Sequence, residues 1–301
     1  MQAKSSSESS ASSHLPPLRT PHDPRDAVRA VPGGGEDPHF LDIAASKSPV
    51  AMKLIVAGST GFVATELIRQ ALAHPAVTSI VALARRETPV PADAAAGAAA
   101  SKLKSVVCSD FEKYPDSVKR DLSGADACVW TIAVTPSQLR SMSWEQACKI
   151  CRDFALAGVD TISQLPRADA GKPLRFIYIS GSNAVRDPAK KPWILGDYCV
   201  MRGDVESRIL GRARESNGAL QVAVAKPGLI DGPGRAGPVM KAAQTVGRTI
   251  IGLPEVKVGQ IAAALLDQAV NGIETDTLEN DDLVRIGSKA LAASERNLAT
   301  E

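Results

Sequence analysis

No stretch of this chain holds the ~20 consecutive apolar residues that a membrane span needs. Its start, "MQAKSSSESSASSHLPPLRTPHDPRD", lacks the apolar centre of a secretory signal. No membrane partner is expected, and the chain reads as soluble, intracellular and cytoplasmic. An excess of one charge is missing as well. The formal charge is +2 over 301 residues, which makes no electrostatic case for nucleic acid. Histidine is scarce: His14, His22 and His39 precede residue 50, so only His74 stands in the body. That argues against a multi-histidine metal site and against a Ser-His-Asp hydrolase. His74 precedes Pro75 at an expected helix end, which suits a structural or solvated histidine. Five cysteines form no regular framework, and reduced thiols follow. Cys148 and Cys151 make a CxxC without a second pair, so buried helix-face cysteines are the plainer reading and no metal is expected.

What is present is a chain 44% hydrophobic, long enough for one large domain or two small ones. Residues 1–51 are rich in Ser, Pro, Gly and Asp without apolar periodicity, and read as a disordered leader. The leader is Ser-rich like a transit peptide, yet its acids balance its bases, and transit peptides are acid-poor. It reads as an added segment or an upstream start, with the domain beginning at Met52 and running to residue 301. From there short apolar runs alternate with helical patterns. "KLIVAG", "VTSIVALARR", "LKSVVCSDF", "DACVWTIAV", "LRFIYISGS" and "LQVAVAKPGLI" read as strands. "GFVATELIRQALAH", "SVKRDLSGA", "SMSWEQACKICRDFALAGVDTISQL", "DYCVMRGDVESRILGRARES" and a last one, "KVGQIAAALLDQAVNG", read as helices. Near-continuous apolar strands separated by helices predict an α/β fold. Its centre is a doubly wound parallel sheet of the Rossmann type, followed by a small C-terminal substrate region. Right-handed crossovers then place every strand end on one edge, where ligands bind.

The first strand runs into "GSTGFVA", Gly58 to Ala64. A glycine pattern alone is weak, but this one follows a strand and opens a helix. Gly58 lets the backbone leave the strand sharply. Gly61, without a Cβ, lets a pyrophosphate reach the first helical N–H groups, where the dipole favours anions. Ala64 allows close helix–strand packing. Gly58, Ser59, Thr60, Gly61, Phe62 and Val63 are the candidate phosphate-binding residues; a plain tight turn is the alternative. No GK[ST] follows, so the turn is not a P-loop. An NAD site usually ends its second strand in an acid that holds the ribose 2′-OH. Here Arg85 and Arg86 stand instead, and two guanidiniums can fork onto a 2′-phosphate. That predicts NADP, against the alternative of an ordinary solvated basic pair. Asp110 and Phe111, after the third strand, are candidates for the adenine amine and ring, and Thr131 lies on the same edge after the fourth.

On these residues the chain resembles the short-chain dehydrogenase/reductase superfamily in its atypical extended branch, over roughly residues 52 to 275. It looks most like the Tat-interacting-protein-like oxidoreductases and the proteins called nucleoside-diphosphate-sugar epimerases. The resemblance implies a Ser-Tyr-Lys constellation. "YISGSN" offers Ser180 and Ser182, and "DYCVMRG" offers Tyr198, but the lysine position holds Arg202. Four residues apart, Tyr198 and Arg202 share a helix face. Such chemistry asks for a tyrosine acid beside the carbonyl, a cation next to it and a serine on the substrate oxygen. Arginine supplies the charge but passes no proton. A helix-surface pair is the other reading. The family also implies that Lys226, Pro227 and Gly228 shape the nicotinamide end. Trp193 is either a substrate contact or a packing residue.

The order of readings is then an NADP-dependent oxidoreductase of a small carbonyl, alcohol or enone; a dinucleotide-binding regulator without turnover, as in the nitrogen-metabolite-repression regulators; and a sugar-nucleotide epimerase. The partner is a small molecule, and a homodimer is left open.

Overall fold

In a computed structural model of the chain, residues 51–91, 99–233 and 253–300 are described. All lie within one of two contact units, Lys47–Glu301. The expected leader falls outside them apart from Ala51, as does residue span 234–252 of the expected substrate region.

β1 (Met52–Ala57) is built from apolar residues on both faces. Successive side chains of a strand point to opposite sides, so Leu54 and Val56 enter one core while Ile55 and Ala57 enter the other. α1 (Phe62–Ala73) buries Ala64, Leu67, Ile68, Ala71 and Leu72, the i, i+3, i+4, i+7, i+8 stripe of an amphipathic helix. It stops at His74, whose extended backbone (ψ 127°) is what the following Pro75 requires. The His74 ring accepts from Ala76 N–H through Nδ1 at 3.2 Å.

β2 (Val77–Ala84), β3 (Leu103–Val107), β4 (Ala127–Trp130), β5 (Leu174–Ile179) and β6 (Leu220–Lys226) follow, with α2 (Asp116–Leu122) between β3 and β4. α5 (Gly196–Glu215) links β5 to β6. The sheet runs β3-β2-β1-β4-β5-β6-β9 and is parallel throughout, where β9 is Thr277–Glu279. The order reverses between β1 and β4, and the crevice there is where such sheets take ligands.

Three features depart from the sequence expectation. The long helix before β5 is not continuous. α3 (Trp144–Cys148), opened by a reciprocal Ser143–Gln146 capping box, passes through a π-helical turn at Lys149–Asp153 into α4 (Phe154–Gln164). "LQVAVAKPGLI" splits at Pro227: β7 (Leu229–Asp231) leaves the main sheet and pairs with β8 (Glu255–Lys257). The helix α6 (Val258–Asn271) is not the last; β9 and α7 (Asn280–Thr300) come after it. α1 and α6 cover one face of the sheet, with α7 packed on α6. α2, α3, α4 and α5 cover the other. Among the described residues no helix is long and apolar enough to cross a membrane, and no cluster of His, Cys, Asp or Glu is placed to hold a metal. All five cysteines are free and buried.

Candidate functional site

The turn after β1 admits only glycine at its first position. Gly58 has φ +83°, a conformation L-residues avoid, and a Cβ there would lie 2.5 Å from Thr131 Oγ1. The turn is tied down by main chain: Gly58 N–H donates to Leu83 O (2.8 Å) and Gly61 N–H to Gly58 O (2.8 Å). Thr131 Oγ1 donates to Ala57 O at 2.8 Å, with Gly58 O at 3.2 Å, so its hydroxyl holds the turn from β4. Gly61 is the N-cap of α1, and no side chain caps that helix. A bare helix start with its positive dipole end faces the crevice, the arrangement that takes a pyrophosphate.

Ser59 does something the sequence did not reveal. Its side chain is fully buried and shares a 2.6 Å hydrogen bond with Thr88 Oγ1. Thr88 N–H in turn donates to Ser105 Oγ at 2.9 Å. The glycine turn is thereby braced to the loop that carries Arg85 and Arg86 and to β3. Both arginines are exposed, and among the described residues neither enters an ion pair.

Gly58, Thr60, Gly61, Arg85, Arg86 and Thr131 all line one cavity of about 510 Å³. Phe111 lines it too, but as part of the core: it is 2% exposed and packs edge-on to Trp130 (centroids 5.9 Å). Asp110 Oδ1 accepts from Glu112 N–H at 2.9 Å, closing the turn after β3.

Tyr198, Arg202 and Glu206 recur every four residues along α5 and so share a face. The helix sits close to the loop after β5 because residue 203 is glycine; a Cβ there would overlap Val185 O, 1.8 Å away. The Tyr198 hydroxyl donates to the main-chain carbonyl of Val134 at 2.7 Å. Arg202 is only 3% exposed and has no described carboxylate partner; Nη2 donates to Ile179 O at 2.6 Å, and Nη1 to the Tyr198 oxygen at 3.4 Å. Its guanidinium lies over the Tyr178 ring (5.2 Å) and the Tyr198 ring (5.9 Å), which supply the cation–π attraction open to a buried charge without an acid. Burial raises the Tyr198 pKa, and the opposing pull of Arg202 is too weak to reverse that. The phenol is therefore neutral at neutral pH.

Ser180 is bonded to Glu206 and not to Tyr198. Its Oγ donates to Glu206 Oε1 at 2.5 Å, and Arg186 Nε donates to Glu206 Oε2 at 2.8 Å. Ser182 is tied by its N–H to Pro227 O (2.8 Å). Lys226 Nζ donates to Ala184 O (3.1 Å) and lies 3.7 Å from Glu279. Gly228 N–H donates to the buried Asn280 side chain at 3.0 Å. Two groups of expected residues thus emerge: the glycine turn with Arg85, Arg86 and Thr131 around one cavity, and Tyr198, Arg202 and Ser180 in the α5 network, while Asp110, Ser182, Lys226 and Gly228 are bonded elsewhere. Glu206 and Tyr178 belong to the second group and went unread, although Glu206 stands eight residues after Tyr198 on a face already marked out.

No family model matches the chain, and no curated protein matches it in sequence. Solved structures do match in shape. MoeE5 in complex with UDP-glucose and NAD is 16% identical with a TM-score of 0.55, over 80% of this chain and 82% of that one. Vestitone reductase from alfalfa (Medicago sativa) is 19% identical with a TM-score of 0.52, over 75% and 76%. The dTDP-glucose 4,6-dehydratase DesIV from Streptomyces venezuelae, with NAD and TYD bound, is 16% identical with a TM-score of 0.56, over 80% and 81%. The chain has a Rossmann fold. That is the fold implied by the resemblance to the short-chain dehydrogenase/reductase superfamily, and at such identities the likeness is one of fold.

Proposed function

We propose that the protein is an NADP-dependent oxidoreductase of the short-chain dehydrogenase/reductase type, acting on a small carbonyl, alcohol or enone. One observation carries the choice of cofactor. Arg85 and Arg86 stand at the end of β2 with no acid between them and the strand, exposed, and lining the same cavity as the glycine turn. An acid there would hold a ribose 2′-OH; two unpaired guanidiniums suit a 2′-phosphate. When bound, the dinucleotide supplies or accepts a hydride. The chain's own residues do the rest. The Gly58–Val63 turn and the start of α1 hold the pyrophosphate, Asp110 receives the adenine amine, and Pro227 and Gly228 bend the chain at the nicotinamide end, beside Lys226. Tyr198 Oη delivers the proton to the substrate oxygen. Arg202 holds that hydroxyl in place, and Ser182 orients the substrate, since Ser180 is committed to Glu206.

A second reading rests on one specific observation. The single Tyr198 proton is already donated to Val134 O, and Arg202 is buried where the family has a lysine. A dinucleotide-binding regulator would keep that network closed. A sugar-nucleotide epimerase ranks third, because the arginine pair argues against the retained NAD such enzymes use. NADPH consumption by the purified protein, followed across a panel of carbonyl compounds, separates the first two. Turnover abolished by Tyr198→Phe supports the oxidoreductase. Tight NADPH binding with no turnover on any member leaves the regulator.

A further inference from the structure

Among the described residues the large exposed apolar side chains are Val90, Val107, Trp144, Trp193 and Leu195. Three of these five, Trp144 (49% exposed), Trp193 (91%) and Leu195 (43%), line a single cavity of about 700 Å³, and so does Tyr198. The chain has three tryptophans, and the third, Trp130, is wholly buried in the core. Two of three tryptophans therefore stand in solvent at one opening, where each loses the hydrophobic stabilisation that a core position gives. Leu195 is held there at φ 53°, left-handed backbone that a leucine rarely adopts and that clusters at functional sites. The α3 start brings Trp144, the loop before α5 brings Trp193 and Leu195, and α5 itself brings Tyr198.

The polar part of the lining is equally informative. Lys191 is the cation there, and its ammonium is paired with Asp197 at 2.7 Å. A nucleoside diphosphate is best held by unpaired cations that answer its two charged phosphates. Among the described residues that line this cavity there is no unpaired cation for that purpose; it offers instead aromatic side chains with aliphatic edges.

We propose that this cavity is the substrate site and that it takes a planar, uncharged, aromatic ketone or aldehyde, sandwiched by Trp144 and Trp193 with its carbonyl toward Tyr198. The proposal deepens the oxidoreductase reading and rests on it for the role of Tyr198, but the binding it claims needs no turnover. It also separates the chain's substrate from those of the sugar-nucleotide enzymes that share its fold.

The test is tryptophan fluorescence of the full chain, without dinucleotide, titrated with 2-acetylnaphthalene and separately with UDP-glucose, corrected for absorption against free tryptophan amide. The expected result is saturable quenching by 2-acetylnaphthalene at least tenfold tighter than any response to UDP-glucose. Trp193→Ala, at a side chain too exposed to matter for folding, is expected to weaken that binding fivefold or more, and Trp144→Ala to weaken it as well. Tighter binding of UDP-glucose would overturn the proposal. So would 2-acetylnaphthalene affinity unchanged in both variants, or a dimer in sedimentation that Trp193→Ala dissolves and that binds no ketone. Failure of the oxidoreductase reading looks different: 2-acetylnaphthalene still binds through Trp193, yet no ketone is reduced with NADPH present.

Discussion

Arg85 and Arg86 stand in solvent beside a bare helix start, unpaired among the described residues, while Arg202 lies at 3% exposure between two tyrosine rings with a carbonyl on one nitrogen. Both ends belong to the same sheet edge, and they hold positive charge in opposite ways. The first end keeps its cations exposed to solvent and unpaired at little cost, which under the proposed function leaves them available to a phosphate that arrives with its own charge. The second removes its cation from water and compensates it with ring faces, the Ile179 carbonyl and the Tyr198 oxygen, leaving Nε buried without a partner; under the proposed function this arrangement must give way before Tyr198 can serve a substrate. A cation enclosed among its partners orders a site; one left exposed and unpaired is free to select a ligand.

Breaking the closed end should give the largest effect. Tyr198→Phe removes the proton donor and the bond to Val134 O, and turnover in the carbonyl-reducing direction is expected to fall about 10²-fold or more, with NADPH affinity nearly intact. The pH profile sharpens the same point. Burial raises the Tyr198 pKa, so the phenol stays protonated through neutral pH and beyond its ordinary value of about 10. The reduction rate should therefore be flat through neutrality and decline only in strong alkali, whereas the oxidation rate, which needs the phenolate, should climb with pH. A Tyr198→Phe protein as active as the parent would remove the tyrosine from the chemistry.

Gly58→Ala tests the open end. The new Cβ meets Thr131 Oγ1 at 2.5 Å with the backbone at φ +83°. A non-glycine residue in that region costs about 1–2 kcal/mol before any clash is counted. Melting should fall by several degrees, since 1 kcal/mol shifts Tm by about 2–4 °C in a domain of this size, and dinucleotide affinity should drop with it. An unchanged melt and an unchanged NADPH titration would show that the turn is not strained as described.

The same contrast explains what was legible in the sequence. The glycine turn could be read because its requirements are local: a strand, a residue free to adopt positive φ, a helix start and small side chains between them. The six main strands could be read from their apolar runs, and their order, β3-β2-β1-β4-β5-β6, is that of a doubly wound sheet. β9 could not, because Thr277–Glu279 is three residues long and gains its identity only by pairing with Val224–Lys226. The spacing of Tyr198, Arg202 and Glu206 marks a helix face, but not what covers it. That Arg202 meets the Ile179 carbonyl and the Tyr178 ring, and that Ser180 is taken by Glu206, follows from how α5 docks on β5, a long-range fact absent from any local pattern. The π-helical turn at Lys149–Asp153 brings Cys151 within 3.2 Å of Val134 N–H, another contact that periodicity alone does not announce.

A smaller effect is expected from the arginine pair. Charge-assisted hydrogen bonds contribute about 1.5–3 kcal/mol each, and tenfold in affinity needs only about 1.4 kcal/mol. NADPH should bind at least about tenfold tighter than NADH. Arg85→Asp combined with Arg86→Ala should erase that preference without disturbing the melt, because both side chains are exposed. Equal affinities in the unmutated protein would end the NADP assignment.

The smallest effect concerns the brace between turn and loop. Ser59→Ala deletes one buried hydrogen bond, to Thr88 Oγ1 at 2.6 Å, and leaves that oxygen without its partner. Such a loss costs about 1–3 kcal/mol when the remaining group stays dry, and less here if the loop shifts to let water reach Thr88. The informative measurement is the cofactor ratio. If the brace sets where Arg86 stands, Ser59→Ala should lower the NADPH-over-NADH preference about two- to threefold, well under the ~1.4 kcal/mol of a tenfold change. In a protein already carrying Arg85→Asp and Arg86→Ala, the same substitution should leave the ratio untouched, because no cation remains to be positioned. A double-mutant cycle over Ser59 and Arg86 reads that coupling directly. A ratio shifted by Ser59→Ala to the same extent with and without the arginines would mean that the serine acts on the phosphate-binding turn itself, and that the two halves of the open end are independent.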